Sequence, residues 1–295
     1  MSAQEQQPLN DTKAPPARSG EARQSIIEVT DVAIGYGTKN ILHDVTFRVR
    51  RGEILVIAGD SGSGKSTLLK HMIGLLSPAK GKILIDGGDL SCTPPGPERD
   101  KIISKFGVSF QGGALFGSMT VLENVKLQLQ EFAHLTDEMA NVIALTKLQM
   151  VGLADSAQQL PAELSGGMQK RAAIARGLAR DPHIVFMDEP SAGLDPITSV
   201  EMDQLILSLN KLLGTTFVIV SHELPSILRI AHSVLLFRGE KQTLVAEGDP
   251  RDLRTSSKDP WVKAFFNRET PQKQNRSAVA APDGKTDRNG EQHHE

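Results

Sequence analysis

The chain predicts an α/β fold, a largely parallel sheet covered by helices on both faces, and three observations predict it. Short apolar runs that read as buried strands alternate with segments of helical period. One run, residues 53–58, opens straight into the stretch Gly-Asp-Ser-Gly-Ser-Gly-Lys-Ser-Thr and then into a helix-period segment at 66–76. Another, Ile184–Asp188, ends in a carboxylate that Glu189 at once doubles.

With 295 residues and 39% apolar content, the chain has enough apolar surface for one large or two modest domains. Residues 1–24 are rich in Gln, Pro, Ala and charge, and residues 269–295 are poor in apolar side chains. Both are expected to be disordered tails around a folded region at 25–268. Residues 26–34 and 41–49 alternate as antiparallel strands do, with Gly35 and Gly37 in the turn between them. After the glycine-rich stretch come a strand at 82–86, a proline-rich connection and a strand near 107–111. Residues 121–153 are mostly helical in pattern. Buried strands follow at Ile184–Asp188 and 216–221, with helix-period segments at 198–213 and 223–231 and a last helix around 261–266.

Bulk properties narrow the function classes. A formal net charge of -2 gives no global basic field for nucleic acid, so no nucleic-acid partner is expected. The single cysteine, Cys92, excludes an internal disulfide framework and a cysteine-based zinc site. No stretch approaches the roughly 20 apolar residues that span a bilayer, and the N-terminus lacks the apolar core of a signal peptide, so any membrane span is expected from another chain.

Three segments carry chemistry. Residues 59–67 fit the phosphate-loop pattern G-x-x-x-x-G-K-[ST]. In that pattern Gly59, Asp60, Ser61, Gly62, Ser63 and Gly64 bring backbone N–H groups around phosphates. Lys65 adds a full positive charge, and Ser66 and Thr67 open a helix whose dipole favours anions. Asp188 supplies the carboxylate that a Mg2+ shell needs opposite Ser66, and Glu189 stands where it can orient and polarise an attacking water. Ser165 is a natural N-cap for an Ala- and Arg-rich helix at 169–180, and Gly166 and Gly167 leave its first amides bare, which makes a second phosphate-receiving surface. A small-molecule kinase would account for the first segment but not for the third.

In that order and combination the motifs resemble the ATP-binding cassette (ABC) family, whose signature loop reads Leu-Ser-Gly-Gly-Gln; here Met168 stands in the glutamine's place, while the serine and glycines are kept. The resemblance covers about residues 25–268. It implies an ABC-type P-loop NTPase with a RecA-like core, an antiparallel β subdomain and an α-helical subdomain, using ATP and Mg2+. Carried over one position at a time, it implies that Tyr36 stacks on adenine and that Asp188 fills the Walker B role. It further implies that Gln111 senses Mg2+ and links the core to the helical subdomain, that the loop 191–195 with Asp195 crosses a dimer interface, and that His222 contacts the terminal phosphate. One phosphate loop and one signature loop per chain imply a homodimer, each ATP lying between the loop of one subunit and the signature helix of the other.

Softer features are similar to the ATPase subunits of Mla-type phospholipid transporters, allied to Mce systems. They are the small and apolar run Gln-Gly-Gly-Ala-Leu-Phe-Gly-Ser-Met-Thr-Val-Leu-Glu-Asn-Val at 111–125, Gly193-Leu-Asp-Pro-Ile-Thr198, and Asp259-Pro-Trp-Val-Lys-Ala-Phe265. That likeness implies an ATPase on the cytoplasmic side of the inner membrane, working with an integral membrane permease, an Mce-type lipid-binding protein and a small regulatory subunit. It also implies that the last helix clasps the neighbouring subunit. Two alternatives stand beside it: an ABC ATPase energising import of another solute, and a soluble ABC ATPase outside transport.

Overall fold

A computed structural model describes residues 24–36, 39–133 and 135–268; apart from Gln24, whose carbonyl accepts from Arg51 N–H at 3.1 Å, both expected tails lie outside the described residues. Strands β1 (Ser25–Tyr36) and β2 (Lys39–Arg50) pair antiparallel, and β3 (Ile54–Gly59) leads into helix α1 (Lys65–Met72). Next come β4 (Lys80–Ile85), β5 (Gly88–Asp89), α2 (Pro97–Ile103) and β6 (Phe106–Ser109). Helices α3 (Val121–Ala133), α4 (Asp137–Met150) and α5 (Gly166–Gly177) follow as a block. The chain then alternates through β7 (Ile184–Asp188), α6 (Pro196–Leu213), β8 (Thr216–Val220), α7 (Leu224–Ile230) and β9 (Ser233–Arg238). It ends with β10 (Thr243–Gly248), α8 (Pro250–Ser256) and α9 (Pro260–Asn267).

The strands form two sheets. One has four strands in the order β2-β1-β4-β5 and is antiparallel; the other has six in the order β10-β9-β3-β8-β7-β6. Within the larger sheet, β9, β3, β8, β7 and β6 run parallel and only the edge strand β10 is reversed. The continuous apolar runs have a simple cause: alternate residues of each central strand feed two different cores. Ile54, Val56 and Ala58 of β3 and Phe217 and Ile219 of β8 face the core under α3 to α7. Leu55, Ile57, Val218 and Val220 face a second core shared with the antiparallel sheet and α1. Helix α1 is thus held between the two sheets, with Leu68, Leu69 and Met72 fully enclosed.

Several elements differ from their sequence reading. The proline-rich connection holds α2, whose Pro97 sits at the first turn, where a missing N–H goes unnoticed. The β9–β10 hairpin and α8 were not expected. Helix α9 does exist, but Trp261, Val262, Ala264 and Phe266 are buried against this chain itself, and the Arg238 guanidinium lies 5.5 Å from the Trp261 ring centre. Its apolar face is therefore already covered within the chain.

Candidate functional site

Four neighbouring parallel strands deliver the motif residues to one edge of the sheet, where open α/β folds bind ligands, at the carboxyl ends of the strands. Strand β3 ends in Gly59 and the loop 59–67, β8 ends just before His222, β7 ends in Asp188, and Gln111 follows β6. The strand leading to His222, β8, lies between β3, which leads to the loop, and β7, which leads to the carboxylates, an order that cannot be read along the chain.

The loop depends on its glycines. Gly59 has φ 141° and a Cβ there would lie 1.9 Å from the carbonyl oxygen of Phe237 on β9. Gly64 has φ 94° and opens α1 with no side-chain cap, so the amides of the first turn face out bare. Asp60 accepts from Gly239 N–H through Oδ2 at 3.3 Å, which braces the loop on the β9–β10 turn. Ser61 is exposed, while Ser63 is buried and its hydroxyl has no partner among the described residues.

Lys65 Nζ donates to the carbonyls of Gly59 (3.1 Å) and Asp60 (2.6 Å). Burial pulls its pKa below the ordinary lysine value, partly offset by Glu189, Asp60 and Asp188. Ser66 Oγ donates to Asp188 Oδ1 at 3.2 Å, which joins the helix α1 hydroxyl to the end of β7. Burial holds the Asp188 carboxyl above the usual aspartate range, opposed by the Ser66 hydrogen bond and by Lys70 and Lys65.

Glu189 is a non-glycine residue at φ 51°, a left-handed conformation that turns the chain out of β7. Its backbone N–H donates to Val220 O (2.9 Å), and His222 Nδ1 donates to its Oε1 (2.7 Å), while its Oε2 is buried with no partner among the described residues. The segment carries one carboxylate oxygen anchored and the other free to accept a proton.

Other expected residues lie where their motifs put them, with different degrees of contact. Ser165 caps α5, its Oγ accepting from Met168 N–H at 3.3 Å; it and Gly166 are exposed, and Gly167 is buried. No hydrogen bond among the described residues joins residues 164–168 to the loop 59–67. Asp195 is the N-cap of α6, its Oδ1 accepting from Ile197 N–H (3.0 Å) and Thr198 N–H (3.1 Å). Gln111 is exposed and makes no side-chain hydrogen bond to Ser66, Asp188 or Glu189. Tyr36 ends β1; nothing is described of its side chain. Sequence reading missed Gly239 and Phe237; Ser191, the first residue of the loop 191–195, has a buried hydroxyl with no partner among the described residues, two positions after Glu189. The run Val234 to Phe237 followed by Gly239 was the available signal for the first two.

The family model for ABC transporters matches residues 42–192. Over 243 residues, 82% of this chain and 68% of the relative, the sequence is 41% identical to the probable ribonucleotide transport ATP-binding protein mkl of Mycobacterium leprae. Over 247 residues, 84% of this chain and 92% of the relative, it is 38% identical to the intermembrane phospholipid transport system ATP-binding protein MlaF of Haemophilus influenzae. A solved dimeric structure of the bacterial ABC transporter cassette MJ0796 superposes with a TM-score of 0.68 at 33% identity, covering 76% of this chain and 98% of that one. With the loop, the paired carboxylates and the capped signature helix gathered on one α/β scaffold, this chain belongs to the ABC transporter family and is one of its ATP-hydrolysing cassettes.

Proposed function

We propose that this cassette hydrolyses ATP at the seam of a homodimer and thereby energises phospholipid transport across or between bacterial envelope membranes. The observation that carries the lipid reading is the nearly end-to-end match to the phospholipid transport ATPase, 92% of whose length this chain spans. The mkl relative favours a second reading, transport of ribonucleotides, although the match leaves about a third of that protein uncovered.

In the proposed site the loop amides and Lys65 wrap the phosphates, and Tyr36 stacks on adenine. Ser66 and Asp188, with Gln111, would hold Mg2+, a cation that takes one or two protein oxygens and completes its shell from phosphates and water. Bound there, Mg2+ would neutralise charge on the terminal phosphates. The opposite pKa shifts of Lys65 and Asp188 fit this occupant, because a polyanion carrying a divalent cation gives each buried charge its counter-charge. Glu189 Oε2 takes a proton from the water whose oxygen attacks the γ-phosphorus as the bond to ADP breaks. His222, turned by its Nδ1 bond to Glu189, offers Nε2 to the γ-phosphate. Ser165, Gly166 and Gly167 of one copy meet the ATP held by the other, and the loop carrying Asp195 crosses between them. ATP then binds the closed pair better than the open one, which is how its hydrolysis drives motion.

The segment 111–125, with Phe116 about half exposed, is proposed to meet an integral membrane permease. Among the described residues no helix is long and apolar enough to cross a membrane. By its likeness to the phospholipid transport ATPase, the cassette is proposed as a peripheral subunit on the cytoplasmic side of the inner membrane, assembled with an Mce-type lipid-binding protein and a small regulatory subunit, without nucleic acid. Purification of the tagged chain from detergent-solubilised membranes, followed by protein and lipid mass spectrometry, tests this. A permease, an Mce-type protein and bound phospholipid are expected. A permease with no phospholipid moves the reading to another solute, and recovery without any membrane protein ends the transport reading.

A further inference from the structure

Helix α5 turns one face, Gly167, Lys170 and Arg171, toward the loop 190–195 and the start of α6. These positions are three and four residues apart and so share a side of the helix. Gly167 approaches so closely that a Cβ would lie 2.8 Å from Thr198 Cγ2, and Arg171 Nη2 pairs with Glu201 Oε2 at 2.6 Å. Both of these contacts run from helix to helix. Lys170 between them does something else: its Nζ donates to the backbone carbonyl of Ala192, in the loop that leaves the catalytic strand.

That loop is tied directly to Glu189, since Ala192 N–H donates to Glu189 O at 3.2 Å. Glu223, next to His222, accepts from Ser199 Oγ of α6 at 3.2 Å. We propose that Lys170 is a positioning residue that ties the signature helix to the loop beside Glu189. Contact of one end of α5 with the partner's ATP thereby sets the geometry at the chain's own ATP. The inference rests on the dimer reading above, because only in a dimer does α5 serve the opposite nucleotide. Burial works against the Lys170 charge, and Glu223 and Glu189 work to keep it. A methionine of similar length would keep the apolar stem but lose the hydrogen bond from Nζ to the Ala192 carbonyl.

The test uses the full chain carrying Lys170→Met or Lys170→Arg, with ATPase rates measured against ATP concentration. Lys170→Met should lower kcat about tenfold with KM within about twofold, the pattern of a group acting on the transition state and not on binding. Lys170→Arg should recover most of the rate. Added to Glu189→Gln, Lys170→Met should leave ATP-driven dimerisation intact by light scattering. A Lys170→Met kcat within about twofold of wild type, an Lys170→Arg rate no better than that of Lys170→Met, or dimerisation lost together with melting temperature would each overturn the proposal. Should Glu189→Gln alone fail to dimerise with ATP, the dimer reading falls first, and separately.

Discussion

Single side chains set the chemistry through what they are denied as much as through what they touch. Glu189 sits in a strained left-handed conformation with one oxygen fixed by His222 and the other buried without a partner among the described residues. Strain of that kind persists only where the surroundings enforce it. Glu189→Gln keeps the shape and the acceptor for His222 but removes the proposed base. Phosphate release should fall at least about 100-fold while ATP binding persists, and a rate within about tenfold of wild type would remove Glu189 from the mechanism. His71 makes a second case at this scale. Its Nδ1 donates to Thr67 O at 2.8 Å, its Nε2 is buried without a partner among the described residues, and burial holds its pKa below the ordinary 6.5. Below that pH the unfolded chain binds a proton that the folded chain refuses. The stability from this group is therefore complete above about pH 6.5 and falls as pH drops through and below it. Thermal melts between pH 8 and pH 5.5 should show this loss, and His71→Gln should flatten it; an unchanged slope in the variant would exclude His71 as its source.

At the scale of elements, the segment before α3 is organised by one buried amide. Asn124 is fully buried; its Oδ1 accepts from Phe116 N–H (2.8 Å), and its Nδ2 donates to the carbonyls of Phe116 (3.1 Å), Met119 (3.1 Å) and Thr120 (2.9 Å). Asn124→Ala leaves those backbone groups unpaired and should cost about 2 kcal/mol in urea unfolding. Because the clamp shapes the proposed permease surface and not the nucleotide site, permease capture should be lost while the isolated ATPase rate stays within about twofold. Equal loss of both would place the clamp in the catalytic path instead. The elements legible from sequence were those whose local signal and tertiary role agree. Strands β3, β7 and β8 are apolar but for Asp188 at the end of β7 and Thr216 at the start of β8, because both faces are buried, and α1 is announced by the loop that starts it. Ser165 and its helix were legible because a cap is a local interaction. The β9–β10 hairpin was not, since Ser-Val-Leu-Leu-Phe-Arg is short enough to read either way and its strand state comes from pairing with β3. Nor could spacing reveal that His222 reaches Glu189, or that Lys170 reaches Ala192, because both follow from strand order and helix packing.

For the whole molecule, the decisive fact is a division of labour. The loop 59–67, Asp188, Glu189 and His222 stand together at the ends of adjacent strands, while the exposed cap at Ser165 belongs to the α3–α5 block and makes no hydrogen bond to them among the described residues. In the proposed dimer a ligand held by both surfaces brings two copies together, so its binding free energy depends on protein concentration as well as on its own. Any ligand that binds the folded form alone stabilises it by RT ln(1 + [L]/Kd), about 2.7 kcal/mol at a hundredfold excess over Kd. For a single-chain site the gain is indifferent to protein concentration; for a shared site it grows with it. The Glu189→Gln chain with saturating ATP and Mg2+ should melt at a temperature that rises over a hundredfold range of protein concentration, with light scattering giving twice the monomer mass. Without nucleotide the melting temperature should be flat and the mass that of one chain. A nucleotide-induced shift of the same size at every protein concentration, on a particle that stays single, would locate the whole ATP site within one copy and remove the shared interface from the mechanism.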